Sequence, residues 1–133
     1  MTHQSPVGDS LRDLTDAGTS SGTKTCFFDG EARLADFFED NPDRIQGGTF
    51  LLASPTLTVT RTRIQPGFKV APHHHGTHQV TYVIKGQLKY GNRVVTAGMG
   101  VFTPGSKYSW VAGPEGADLL EIFDGIPMKA VRS

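Results

Sequence analysis

The chain has 133 residues and a mass of 14.4 kDa, which allows one domain with a substantial core and excludes two domains of ordinary size. Its 13 Lys and Arg residues balance 13 Asp and Glu residues, so no positive field indicates a nucleic acid or an anionic membrane as partner. No apolar run is long enough to span a bilayer and the first ten residues do not resemble a signal peptide, so we expect a soluble, cytoplasmic protein.

The N-terminal part of the chain is expected to be a lead-in followed by a short helix. Residues 1–24 are rich in Ser, Thr, Gly and Asp and poor in large apolar side chains, which predicts a flexible segment. Cys26 is the only cysteine, which excludes an internal disulfide, and its FFDG context predicts a packed structural thiol. Leu34, Phe37 and Phe38 then recur at helical spacing ahead of a proline, which predicts the helix.

The pattern changes to strands at Thr49, so we place a boundary between a lead-in over residues 1–48 and a β domain over residues 49–133. Short β-branched or aromatic runs alternate there with Gly, Pro and Asn turn signals. The runs are TFLLA, LTVTRTRI, HQVTYVI, QLKYG, RVVTA, GVFTP, YSWVAG and DLLEIFDG. Many short strands separated by turns predict an all-β sandwich or barrel, in which KYGNRV forms a tight hairpin.

Four of the five histidines lie in one stretch, APHHHGTHQVTYVIKG, at residues 71–86. In an extended segment side chains alternate between faces, so His73 and His75 point the same way and His74 points the opposite way. Two imidazoles at this spacing can bind one ion if a turn brings a third ligand back to them. A metal site and a histidine-rich surface loop both remain open on spacing alone.

The strand that follows places Gln79, Thr81 and Val83 on one face, which we expect to line the barrel. The other face carries His78 and three large apolar residues, namely Val80, Tyr82 and Ile84. Because one buried face per strand is enough for a sandwich, a second apolar face predicts cover from another chain or from the N-terminal segment. We therefore expect a homodimer.

Two motifs of this chain resemble those of the cupin superfamily. The stretch from Gly67 to Gly86 fits G-x5-H-x-H-x3-[E or Q]-x6-G, the first cupin motif, and GMGVFTPGSKYSW, from Gly98 to Trp110, approximates the second. The resemblance covers roughly residues 49–126. It implies a double-stranded β-helix, or jelly-roll barrel, which agrees with the strand pattern.

The chain departs from the cupin pattern at two ligand positions. Gln79 stands where the family usually has glutamate, and its amide can still ligate through oxygen or donate to a substrate through nitrogen. The histidine of the second motif is absent. Alignment on Pro104 puts Ser109 in its place, and alignment on Gly105 puts Tyr108 there, which we favour because it keeps the trailing aromatic residue.

The resemblance implies a site for one divalent ion (Fe, Mn, Ni, Zn or Cu) held by His73, His75 and Gln79. All three ligands are neutral and leave open coordination positions, which favours Lewis-acid chemistry on a small organic substrate. The resemblance admits lyase, isomerase and dioxygenase activities. We take Gln79 and Tyr108 as the candidate catalytic residues, and the Tyr108 phenol could bind the ion, donate a proton or only form a wall of the pocket. The remaining substrate contacts are expected from Thr81, Val83, Ser109 and Trp110.

Two other kinds of protein stay open beside this enzyme: a metal-free or sensory cupin that binds a ligand without catalysis, and a structural or interaction protein. Glu121, in DLLEIF, has a facing that the sequence does not determine, and we expect a surface or hydrogen-bonded glutamate there. Arg61, Arg63 and Lys69 could meet an anionic substrate, but their alternation predicts a solvated outer face.

Overall fold

A computed structural model describes residues 25–127 of the chain. The predicted flexible lead-in over residues 1–24, with His3, lies outside the described residues. Within them the elements are one helix and seven strands: α1 (Gly30–Asp40), β1 (Gly47–Ala53), β2 (Thr58–Ile64), β3 (Lys69–His73), β4 (Gln79–Tyr90), β5 (Arg93–Thr96), β6 (Gly100–Thr103) and β7 (Tyr108–Phe123). The prediction of an all-β fold with a short preceding helix is confirmed.

Helix α1 forms where the spacing of apolar residues predicted it. Asp29 caps its first turn, because the side-chain Oδ1 accepts a hydrogen bond from the Ala32 backbone N–H at 3.0 Å. Leu34 is buried and the following phenylalanine pair is half-buried, so the helix packs its apolar side on β1 and β2. Cys26, just before the helix, is exposed, so the prediction of a packed thiol is wrong. Across residues 25–127 no helix has the length and apolar character needed to cross a bilayer.

Arg61 connects helix α1 to the outer face of the sheet through hydrogen bonds and an ion pair. Its guanidinium donates two hydrogen bonds to the Glu31 carboxylate, at 2.8 and 2.9 Å, and a third to the Leu119 backbone carbonyl at 2.9 Å. Those hydrogen bonds from Arg61 lower the pKa of Glu31. Arg61 is only 2% exposed, so the expectation of a solvated side chain is wrong at this position, whereas Arg63 is exposed and pairs with Asp118.

The strands form one antiparallel sheet with the order β1-β2-β7-β4-β5, in which β3 also pairs with β7 and β6 with β4. Two pairs of predicted runs are single long strands, β4 and β7, that bend together at Gly86 and Gly116. Both glycines have positive φ, and a Cβ on Gly86 would collide with the Gly116 carbonyl oxygen. Because β4 and β7 stay paired on both sides of these glycines, the sheet curves and encloses the interior.

The interior has an apolar half and a polar half. The apolar half is the hydrophobic core formed by Ile64, Val83, Leu88, Val95, Trp110, Ala112, Ala117 and Leu119. In the polar half β2 turns three threonines inward, Thr58, Thr60 and Thr62, and all three are buried. Gln79 and Thr81 of β4 are buried beside them, as the predicted alternation of that strand requires.

The outer face of β4 exposes the apolar side chains that the alternation predicted. Val80, Tyr82 and Ile84 are 37–41% exposed, and Phe102 of β6, the register partner of Val80, is 61% exposed. Ile122 of β7 pairs with Val80 from the other side and is half-buried. We propose that this surface packs against a second copy of the chain, because its burial removes contiguous apolar area from water.

Replacing Phe102 by Asp is expected to convert the protein from dimer to monomer, because a carboxylate would have to be desolvated in the interface. Light scattering at micromolar concentration measures the mass. Leu57→Asp is the matched control, since Leu57 is 41% exposed but lies in the loop between β1 and β2. A mass near 14.4 kDa for the unaltered chain would contradict the dimer.

Candidate functional site

His73 and His75 meet inside the polar half of the barrel. His73 is buried at the end of β3, after a register shift in the pairing of that strand with β7. The ring centroids of His73 and His75 lie 5.0 Å apart at an interplanar angle of 86°. His73 Nδ1 lies 2.8 Å from the Ala71 carbonyl oxygen. Because a carbonyl only accepts, Nδ1 carries the proton and the ring lone pair is on Nε2, the arrangement typical of metal-binding histidines.

Gln79 is the first residue of β4, and both ends of its amide make hydrogen bonds. Its Nε2 donates to Thr81 Oγ1 at 2.9 Å and to Glu121 Oε2 at 3.0 Å. Its Oε1 accepts a hydrogen bond from the Tyr108 hydroxyl at 3.3 Å. The amide oxygen, the atom that could ligate an ion, therefore faces Tyr108.

Tyr108 is the residue of the second motif that enters the site. It pairs with His73 across β3 and β7, and its ring centroid lies 4.5 Å from that of His73 and 6.3 Å from that of His75. Burial, with the nearby Glu121 carboxyl group, raises the pKa of the Tyr108 phenol, and the hydrogen bond to Gln79 only partly opposes this. Without an ion the phenol is therefore protonated at neutral pH.

Ser109, the other candidate for this position, points away from the histidines. It is exposed and lines a shallow outer groove with Lys69 and Lys89. The structure thus favours the alignment on Gly105. Lys69 lies on the same outer surface and Arg61 lies under helix α1, so neither cation stands at the site.

Glu121 completes the site from β7, although sequence reasoning left its facing open. Its Oε1 accepts hydrogen bonds from Thr62 Oγ1 at 3.0 Å and Thr60 Oγ1 at 3.3 Å, and its Oε2 accepts the bond from Gln79. Burial raises the pKa of Glu121, while the hydrogen bonds from Thr62 and Thr60 act in the opposite direction. The alternating threonines of LTVTRTRI were the one sequence signal of a polar interior that could have indicated this inward carboxyl group.

Tyr90 is a second residue that sequence reasoning missed. Burial, followed by the nearby Glu121, raises the pKa of its phenol to about 12. The hydroxyl is enclosed near Thr81 but makes no hydrogen bond of good geometry among residues 25–127. The Tyr90 ring therefore forms part of the apolar wall, and its hydroxyl lies near the Glu121 carboxyl group.

The two other histidines of the stretch take different surroundings. The exposed His78 pairs with Asp124 at 3.1 Å and lies 5.8 Å, centroid to centroid, from the Phe102 ring. The Nδ1 atom of His74 is enclosed and has no hydrogen-bond partner among the described residues. Among the described residues, the rings of His73, His75 and Tyr108 contact one another, and the ring contact of His78 is with Phe102.

The expected substrate contacts divide between the site and the core. Thr81 lies in the site, where it accepts a hydrogen bond from Gln79. Val83 and Trp110 belong to the hydrophobic core, and the Trp110 ring packs 6.2 Å from that of Phe68. Their facing follows the predicted alternation, but they form part of the packed interior rather than the polar cluster.

The residues present fit a divalent ion by their chemistry. Within residues 25–127 no three His, Cys, Asp or Glu side chains are grouped closely enough to hold one. A divalent ion bound here would need the Gln79 amide oxygen in addition to the two imidazoles, and His73 would bind it through Nε2 because its Nδ1–H donates to Ala71. Imidazole and amide ligands suit several divalent transition metals.

Comparisons with known proteins identify the fold. Neither a family model nor a curated protein matches this sequence. Among solved structures, an RmlC-like cupin from Shewanella frigidimarina is 24% identical over 59% of this chain and 74% of its own, with a TM-score of 0.53. KdgF from Halomonas is 19% identical over 66% of this chain and 80% of its own, with a TM-score of 0.54. A variant of oxalate decarboxylase from Bacillus subtilis is 22% identical over 59% of this chain, with a TM-score of 0.52, and the match spans only 24% of that protein.

Proposed function

Since this chain has the cupin fold, we propose that it is a metal-dependent enzyme that acts on a small organic molecule. The observation that carries the proposal is the meeting of His73, His75, Gln79 and Tyr108 at one interior point. Two imidazoles from one strand end and an amide oxygen from the next strand provide three neutral donors. Such a set leaves coordination positions for a substrate, as catalytic sites do.

The residues divide into a binding group and a proton-handling group. His73, His75 and Gln79 would hold the ion, which would polarise a carbonyl or stabilise an enolate as a Lewis acid. Tyr108 is positioned to hold or deliver a proton at its phenol oxygen, because burial keeps that oxygen protonated. Glu121 holds the amide of Gln79 and adds a carboxyl group behind it.

Among reaction classes, we favour lyase or isomerase chemistry over dioxygenase chemistry. Proton transfer to or from a substrate needs groups that exchange protons next to the reacting atoms, and a phenol and a carboxyl group both lie in this cluster. Oxygen-dependent cleavage remains the competing class for the same ligand set, and comparing turnover with and without dioxygen distinguishes the two.

The experiment that tests the proposal is elemental analysis of the protein purified without a histidine tag. We expect about one divalent transition-metal ion per chain, or binding of one added ion in a calorimetric titration. A chain that retains no ion and binds none on titration with Mn²⁺, Fe²⁺, Co²⁺, Ni²⁺, Cu²⁺ and Zn²⁺ would contradict it.

A ligand-binding cupin without metal is the second candidate. It is favoured by the amide of Gln79, which has hydrogen-bond partners inside the protein at both ends and so is already satisfied in the structure. This candidate predicts that small organic acids or carbonyl compounds raise the melting temperature of the ion-free protein, without turnover.

A further inference from the structure

We propose that Glu121 is a positioning residue, which fixes the orientation of the Gln79 amide by accepting a hydrogen bond from its nitrogen. The inference rests on the proposed function and deepens it. In this chain the amide stands at the motif position on β4 and the acid on the neighbouring strand β7. A double variant at positions 79 and 121 would exchange the two.

The hydrogen bonds determine which end of the amide faces the histidines. A primary amide has one end that donates and one end that accepts. The Glu121 carboxylate accepts from Gln79 Nε2, and Thr81 accepts from the same nitrogen. The opposite end, Oε1, must then face Tyr108, whose ring lies against His73.

Strand pairing holds Glu121 in this position. It lies opposite Thr60 of β2 on one side and opposite Thr81 of β4 on the other, so it occupies the middle of a row that crosses three adjacent strands. The Thr60 and Thr62 hydroxyls both donate to Oε1 and leave Oε2 for Gln79. Four side chains thus restrain the carboxylate and the amide together.

An acid–amide pair of this kind has a consequence that independent residues would not show. Gln79→Glu places two carboxyl groups in contact and removes the amide donor between them, so the two groups cannot both ionise without repulsion. Glu121→Gln leaves two amides and no carboxyl group. The double variant restores one acid and one amide, now with the acid at the usual cupin position.

Four proteins test the exchange: the unaltered chain, Gln79→Glu, Glu121→Gln and the double variant. Thermal unfolding of the ion-free proteins is the first measurement, and we expect the double variant to melt well above the value obtained by adding the two single losses. If Gln79→Glu does not fold, recovery of folding in the double variant would equally show that the two residues are coupled. Glu115→Gln, at an exposed position, is the control for loss of a charge.

Calorimetric titration with Zn²⁺ or Mn²⁺ is the second measurement. We expect Glu121→Gln to weaken ion binding by about 10–100-fold, the usual scale for a residue that orients a ligand. The double variant should bind more tightly than Glu121→Gln. Additive losses of melting temperature, or an ion affinity that Glu121→Gln leaves unchanged, would overturn the inference. Absence of ion binding in the unaltered chain, with coupled melting temperatures, would contradict the proposed function and support the acid–amide pair.

Discussion

His73→Ala abolishes ion binding, and His74→Ala leaves it nearly unchanged: this is the result expected if the alternation of the histidine stretch selects the ligands. His73 is buried, its Nδ1–H donates a hydrogen bond to the Ala71 carbonyl oxygen, and its ring packs against those of His75 and Tyr108. Removing it leaves one imidazole and one amide oxygen, too few protein donors to retain a divalent ion. His75→Ala should have the same effect for the same reason.

The two neighbouring histidines make a matched control set, because they have the same side chain in the same short stretch. His78→Ala removes an exposed ring that pairs with Asp124 on the surface. Elemental analysis and Zn²⁺ titration of the four single variants provide the comparison. Equal losses in all four would show that the stretch binds ions as an unselective surface cluster.

The strands and their facing could be predicted because one face of most strands is buried. The alternation of buried and exposed residues from Gln79 to Ile84 is the clearest case, because the two-residue period of a strand sets it. The polarity of the side chains does not, since two of the three buried residues are polar and all three exposed residues are apolar. Strand β3 was not predicted, because its sequence, KVAPH, carries a proline and few β-branched residues. Its pairing with β7 stabilises it, and that contact depends on residues far along the chain, such as Val111, the partner of Lys69.

The site could be predicted only where one short stretch of sequence defines it. The spacing of His73 and His75 is local, and so it was visible in the sequence. The role of Glu121 depends on three strands meeting, so that Thr60, Thr62 and Gln79 converge on one carboxyl group. DLLEIF has apolar residues on both faces, which removes the alternation that would have assigned its inward side.

The same absence of long-range information left the second motif ambiguous. Two alignments of GMGVFTPGSKYSW were possible, and they differ by one residue, which in a strand is a change of face. The pairing of Tyr108 with His73 favours the alignment on Gly105, because Tyr108 is half-buried beside His73 and Ser109 is exposed.

Tyr108→Phe is expected to reduce kcat by about 100-fold or more, the scale of losing a general acid or base. The change keeps the ring that packs against His73 and removes only the hydroxyl that donates to Gln79. Burial raises the pKa of this phenol, whereas a divalent ion bound beside it would lower that pKa, since positive charge favours the phenolate. The hydroxyl could then exchange its proton with a substrate near neutral pH. The measurement is kcat on a substrate for which the unaltered protein shows ion-dependent turnover.

Ser109→Ala is the control for this prediction, because Ser109 is the neighbour of Tyr108 on the exposed outer side of β7. Its effect on kcat should be small. Ion affinity, measured by the same Zn²⁺ titration, separates the two roles open to Tyr108: a ligand loses affinity with the hydroxyl, and a proton donor loses kcat alone. If Ser109→Ala were the more damaging change, the alignment on Pro104 would be correct. Full activity and unchanged ion affinity in Tyr108→Phe would show that the ring is a wall of the site and that the proton is held elsewhere.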